Sequence, residues 1–197
     1  MVSKKYKTQK DSKTGLLRII ALKDFSDVKK GDKGGLIEKE ENLSQEGNCW
    51  VFCNAQVFGS AQVFGNARVC DNAQVYGEAS ISGDAKVYYK AQVFGSAQVY
   101  DNAQVYGEAS ISGNAWVYDK AQVFGSSQVY DNAQVFGSAN VYDNAQVFGK
   151  ARICGDAEIN RAVEIIDITI HSKNVDLSKA DKYCKDMPLI HKLYGKP

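Results

Sequence analysis

The sequence is nearly without proline: it has two in 197 residues, Pro188 and Pro197. It has two histidines, His171 and His191, so the chain ahead of His171 lacks the commonest general base and metal ligand. The five cysteines, Cys49, Cys53, Cys70, Cys154 and Cys184, are odd in number and scattered, which excludes a secreted disulfide framework. Cys49 and Cys53 lie four apart, and Cys184 lies seven before His191. Neither spacing converges on a metal, so no metal site is expected. No segment approaches the roughly 20 apolar residues of a membrane span. The start, MVSKKYKTQK, has no apolar core of a secretory leader. Reduced thiols in a cytoplasmic protein with no membrane partner are the expectation. Charge of one sign is missing too, with 24 basic residues against 23 acidic. Residues 49–160 hold 6 basic and 10 acidic side chains, too acidic a stretch for a nucleic-acid partner to be expected.

What the chain has is a repeat. With Val51 at position one, every sixth residue to Ile153 is Val or Ile. Position two is Phe or Tyr except at Cys70, Ser82, Ser112 and Cys154. Position three is Gly or Asp except at Cys53 and Tyr89, and position five is Ala except at Ser127. The unit Ala-Gln-Val-Phe alternates, which predicts a four-residue strand with Ala and Val inward and Gln and the ring outward. The pair that follows supplies a corner, because Gly takes positive φ and Asn or Asp tolerates it. Three hexads close a triangular coil, and eighteen hexads make six coils with strands about 4.8 Å apart. A helix is excluded, since a Gly or Asp-Asn step every six residues would break it.

Flanking segments read as caps. Residues 1–42 form an N-terminal cap, with GLLRIIALKDF a strand after a turn at Lys13-Thr14-Gly15. Residues 43–160 are the repeat, with a partial coil starting near Glu40. Residues 161–197 are a C-terminal cap: EIIDITI reads as a strand leaving the hexad pattern, and DLSKADKYCKDM as a short helix stopped by Pro188. Such caps close the open strand edges at either end of a coil stack.

Within the repeat, residues 74–103 and 104–133 agree at 26 of 30 positions. Thirty residues are five hexads, so the second copy faces a different side of the triangle. Ser80 and Ser82 fall on one face, and Ser110 and Ser112 on another. A site that needs exact neighbours above and below is not expected to survive that rotation. Growth by interchangeable units is.

The hexads resemble the hexapeptide-repeat family, and the lead-in LRIIALKDFSDVKKGDKGGLIEKEENLSQEGNCW resembles a bacterial and phage-encoded subset named for acyl transfer. General crossover chirality favours right-handed connections. The resemblance instead implies an all-β, left-handed parallel β-helix of about six to seven coils. It also implies acyltransferase activity, with a histidine base and a site between subunits of a trimer. This chain departs from that pattern, because no loop interrupts residues 51–158 and no histidine precedes His171. A general base must reach its proton inside a pocket. His171 is the weak catalytic candidate, and cap packing or solvent exposure is the ordinary role for it and for His191.

The primary expectation is therefore a non-catalytic binding scaffold without cofactor. It would act through rows of outward rings and self-associate into a dimer or trimer, or hold a protein partner, capture of a host protein by a phage protein being one such use. The candidate surface is Phe58, Tyr76, Phe94, Tyr130 and Phe148 on one side, and Tyr100, Trp116, Tyr118 and Phe136 on another. A third row carries Phe52, Tyr88, Tyr106, Phe124 and Tyr142. Contiguous exposed aromatic area of this kind marks interfaces. Stacking of the rings for strand stability alone is the ordinary explanation. The alternative function is an acyltransferase that binds acetyl-coenzyme A between subunits. Asp101 and Asp119 should share a corner, as solvated carboxylates near Lys120 rather than as a cation site. Lys90 and Glu108 should pair across coils, and Arg68 and Lys86 should be like-charged neighbours.

Overall fold

A computed structural model of the chain describes residues 4–160 and 163–172. The fold is an all-β parallel solenoid of about seven turns of roughly 18 residues. Its three faces are sheets, one of ten strands and two of seven, parallel throughout the coils and extended at the N-terminal end of the first by antiparallel strands. Strand partners lie one full coil apart: Gln56–Val57 pairs with Gln74–Val75, and that pair with Gln92–Val93.

The interior is as narrow as the sequence implies. Val57, Val75, Val93, Ile111, Val129 and Val147 stack inside the first face, fully buried, and the alanines between corners are buried with them. Each buried Val contributes about 1.5–3 kcal/mol before entropy is subtracted. The one departure, Ser127, is satisfied: its hydroxyl donates to the Phe124 carbonyl at 2.8 Å.

The strands are shorter than expected. Only the Gln-Val pair is extended in most hexads, not four residues. The corner hydrogen bond explains this: the Ala55 amide donates to the Phe52 carbonyl at 3.1 Å, drawing the ring residue and the alanine into the turn. The corners are laddered as well as the strands. Ser60 N–H donates to the Gly77 carbonyl at 2.7 Å, just as Gln56 donates to Ala73 and Phe58 to Val75 on the adjoining strand. The corner residue at position three has positive φ throughout, and a Cβ added at Gly83 would lie 2.7 Å from the Asp101 nitrogen. Aspartate at that position gains a bond of its own. Asp71, Asp119 and Asp131 each accept the amide of the residue one coil on, at 3.0–3.2 Å.

The N-terminal end is closed by β1 (Tyr6–Lys10), β2 (Leu17–Ala21) and β3 (Lys33–Ile37). The first two form an antiparallel hairpin, and the turn expected at residues 13–15 lies between them. Parallel stacking starts ahead of Glu40, because β3 sets Leu36 and Ile37 against Gln56 and Val57. Trp50 is buried between Tyr6 and Phe25, edge-on to both. Buried Lys5 donates to the backbone carbonyls of Glu46, Gly47 and Cys49 and approaches the Cys49 sulfur at 3.2 Å. Burial lowers its pKa and raises that of the thiol.

At the other end, EIIDITI is two strands rather than one. Glu164–Ile166 pairs with Gln146–Phe148, and Thr169–Ile170 pairs with Arg152–Ile153. Asp167, at positive φ, turns the corner between them. This segment therefore stays in the coil, one residue short: Ile170 stacks on Ile153 at a separation of 17. The helix expected over DLSKADKYCKDM, with Cys184 and His191, lies outside the described residues.

Candidate binding surface

A residue at position two leaves a coil at a corner, so its ring meets the ring at the same corner of the next coil. Phe58, Tyr76 and Phe94 stack at 4.9 Å with planes within 2°. Tyr130 and Phe148 stack likewise on the same side. On the second side Tyr100, Tyr118 and Phe136 stack at 4.9–5.0 Å, with Trp116 edge-on to Tyr100 at 6.5 Å. The longest column is Tyr88, Tyr106, Phe124 and Tyr142 at 4.7–4.9 Å. Strand spacing sets this interval, and offset stacking adds about 0.5–1.5 kcal/mol per pair.

Stacking along the rod has a chemical consequence. Each ring spends its faces on its neighbours and shows its edge outward. Rows of sugar-binding or base-stacking rings need free faces, which only the ends of each column offer. Most ladder rings are accordingly half-buried, whereas Phe64, with no ring above or below it, is 41% exposed.

A second regularity governs what lies beside each ring. A ring touches the position-six side chain of the next coil. Tyr88 and Tyr106 donate to the side-chain carbonyls of Gln104 and Gln122 at 3.1 Å, and Tyr130 to that of Gln146 at 3.3 Å. Arg68 lies over Phe52 at 4.6 Å and Arg152 over Phe136 at 5.1 Å. Arg68 stands in register with Lys86, the expected like-charged neighbour, and it also pairs with Asp27 of the cap at 2.6 Å. On the ten-stranded sheet the outward row Gln56, Gln74, Gln92, Ser110, Gln128 and Gln146 carries no charge.

Tyr89 stands apart. It occupies the corner position of Gly or Asp, at φ 58°, and the residue is 57% exposed. A left-handed conformation costs an aromatic residue about 1–2 kcal/mol. Its ring tilts against Tyr88 at 5.3 Å. The sequence marks Tyr89 only as an exception to the hexad rule; its exposure and backbone make it a candidate binding residue. Beside it, Lys90 and Glu108 pair at 2.9 Å, as their shared corner on successive coils requires.

His171 is brought to the last described coil. Its Nδ1 lies 2.9 Å from the sulfur of Cys154, which also donates weakly to the Ile170 carbonyl. The sequence spacing of 17 hides this pair, because the shortened corner before Ile170 moves His171 into the column above Cys154. The thiol is buried, and burial raises its pKa, which keeps it neutral. Asp101 and Asp119 do share a corner with Lys120, lining an open cavity of about 500 Å³, where Asp119 is taken up by the Gly137 amide. Among the described residues no group of three or more His, Cys, Asp or Glu could hold a metal ion, and no helix is long and apolar enough to cross a membrane.

Comparison with known proteins agrees with the coil geometry. Residues 61–77 match the family model described as YdcK beta solenoid repeat. Over 48 residues the chain is 50% identical to the uncharacterized acetyltransferase YdcK of Escherichia coli (strain K12), a stretch covering 24% of this chain and 15% of that protein. The chain thus spans a small part of that relative. The periodic core and the laddered corners make the chain a β-solenoid consistent with a hexapeptide-repeat family, and residues 61–77 are similar to the YdcK beta solenoid repeat.

Proposed function

We propose that the solenoid is a binding scaffold whose working part is its surface, and that it self-associates into a dimer or trimer through its aromatic and glutamine-rich faces. The carrying observation is Tyr89, a large ring held outward at a backbone angle that disfavours it. Tyrosine anchors interfaces because it buries a large area for little lost side-chain freedom. The candidate surface is the column of Phe58, Tyr76 and Phe94 continued by Tyr130 and Phe148. With it goes the neighbouring column of Tyr100, Tyr118 and Phe136 with Trp116, which is 38% exposed. The uncharged row on the ten-stranded sheet supports association of identical copies, since facing copies meet no like-charge repulsion there.

Light scattering across a range of concentrations tests this. An oligomer that dissociates on Tyr89→Asp supports the reading. A strict monomer at all concentrations refutes self-association.

A second reading has a specific observation behind it. The E. coli relative is named as an acetyltransferase, and His171 sits 2.9 Å from a thiol at the end of the coil stack. Under that reading acetyl-coenzyme A binds between subunits and His171 acts as the base. Calorimetric titration with acetyl-coenzyme A decides: heat that disappears in His171→Ala would replace the scaffold reading with an enzyme.

A further inference from the structure

Four rungs of the aromatic columns are vacated, at Cys70, Ser82, Ser112 and Cys154. The molecule fills two of them itself. Beside Cys70, Arg68 lays its guanidinium over Phe52; beside Cys154, Arg152 does the same over Phe136. Both arginines occupy position six, just ahead of the vacated place on the same coil. At the other two vacancies that position is serine, Ser80 and Ser110, too short to cover Phe64 or Phe94.

What the coil register leaves at each vacancy is a slot one rung wide between two rings of the same column. Phe64 lies below Ser82 and Tyr100 above it, about 9.6 Å apart by two strand spacings. That interval admits one planar group at the stacking distance of the filled rungs. Ser80 and Ser82 line the floor, and Ser80 is flanked in register by Gln62 and Gln98. The second slot repeats the first, residue for residue, five hexads on. Phe94 and Tyr130 are its walls, Ser110 and Ser112 its floor, and Gln92 and Gln128 flank Ser110. The duplication turns the slot to another face, as the sequence implies. Contrary to the sequence expectation, its neighbours above and below are preserved, because the hexad pattern puts the same residue types on every side.

We infer that these two slots are binding sites for a planar cation, the guanidinium of an arginine presented by a partner protein. The inference rests on the reading of the rod as a binding surface and gives its partner's chemistry. The same molecule uses guanidinium to close its other two vacated rungs. Aromatic faces attract it by cation–π interaction. Serine hydroxyls and glutamine carbonyls accept its N–H groups, which a guanidinium offers in a planar fork of five. The repeat region carries 10 acidic residues against 6 basic, two of the latter being the internal arginines, so its field favours a cationic partner.

The test is a titration of the full chain with N-acetyl-arginine amide, followed by NMR of labelled Phe and Tyr rings. Phe64, Tyr100, Phe94 and Tyr130 signals should shift. Arginine amide should bind about two- to fivefold more tightly than the lysine or the neutral citrulline analogue. The shifts should vanish in S80R/S110R, which builds the internal filler at both slots. S82Y/S112Y, which restores the missing rings, should abolish them too and covers the case in which the arginine variant misfolds. Absence of shifts, equal binding of citrulline amide, or shifts that survive in a folded filled variant would overturn the inference. So would tighter binding of N-acetyl-tryptophan amide, which would assign the slots to a neutral ring. Light scattering on the same samples separates the two readings: a rod that self-associates but takes no arginine loses the slots and keeps the scaffold.

Discussion

Residues 74–103 and 104–133 are near-copies set on different faces, and they differ at four positions: Asp84 and Asn114, Lys86 and Trp116, Tyr89 and Asp119, Ala97 and Ser127. Three of the four differences point outward. The fourth, Ser127, is inside and repairs its own hydroxyl with a backbone bond. The inner positions carry the same Val, Ile and Ala set on each face, so a copy fits after rotation. The surface is where the copies diverge, and it is where function has room to differ.

Substitutions at matched positions would break or sharpen this contrast. The largest effect is expected inside. Ala97→Leu and Ser127→Leu each overpack the interior and should cost about 3 kcal/mol in denaturant unfolding. Losses that differ by more than about 1 kcal/mol between the copies would show that the faces are not equivalent.

Removing a rung comes next. Tyr106 is stacked on both sides, and Tyr106→Ala should cost about 2 kcal/mol. Phe64→Ala, which breaks no stack, should cost clearly less by the same measurement. Equal costs would mean that stacking adds nothing to burial.

The corner exchange follows. Tyr89→Asp should raise stability by about 1 kcal/mol by relieving the left-handed tyrosine, and Asp119→Tyr should lower it by a similar amount. Thermal melts of both variants check this. A Tyr89→Asp variant no more stable than the parent would remove the strain that singles out this ring.

The smallest effects are electrostatic. Lys90 pairs with exposed Glu108, whereas its counterpart Lys120 has Ser138 in that place. A double-mutant cycle on Lys90 and Glu108 should give less than about 1 kcal/mol and fade in salt. Burial pushes the Cys70 thiol up to about 11 from 9.0. A raised folded pKa keeps the proton on the native state while the unfolded chain loses it. Its stabilisation is complete below pH 9.0 and is lost as pH rises toward about 11. Cys70→Ala should flatten the unfolding profile over that window.

The coil was legible because Val at every sixth position and Gly or Asp two places on leave no other way to bury one face. The strand length was not, since the corner hydrogen bond from alanine to the ring residue is a matter of backbone geometry. The partner of Arg68 was hidden because Asp27 lies far off in sequence, in a cap that carries no repeat. The Cys154–His171 contact was hidden by one missing residue at the last corner. The slots at Ser82 and Ser112 were visible as exceptions. They gain meaning only once the coil register sets a ring one rung below and another one rung above each serine.

The chain winds in turns of three hexads with its rings outside. Asn54 and Asn144 occupy the same corner, five coils apart. Spin labels at these two sites, with native cysteines replaced, would report the distance by pulsed electron resonance. A single narrow distribution at about 24 Å between the backbones, five strand spacings, is the expected result. A mean more than about 5 Å from that value, or a broad distribution, would contradict it.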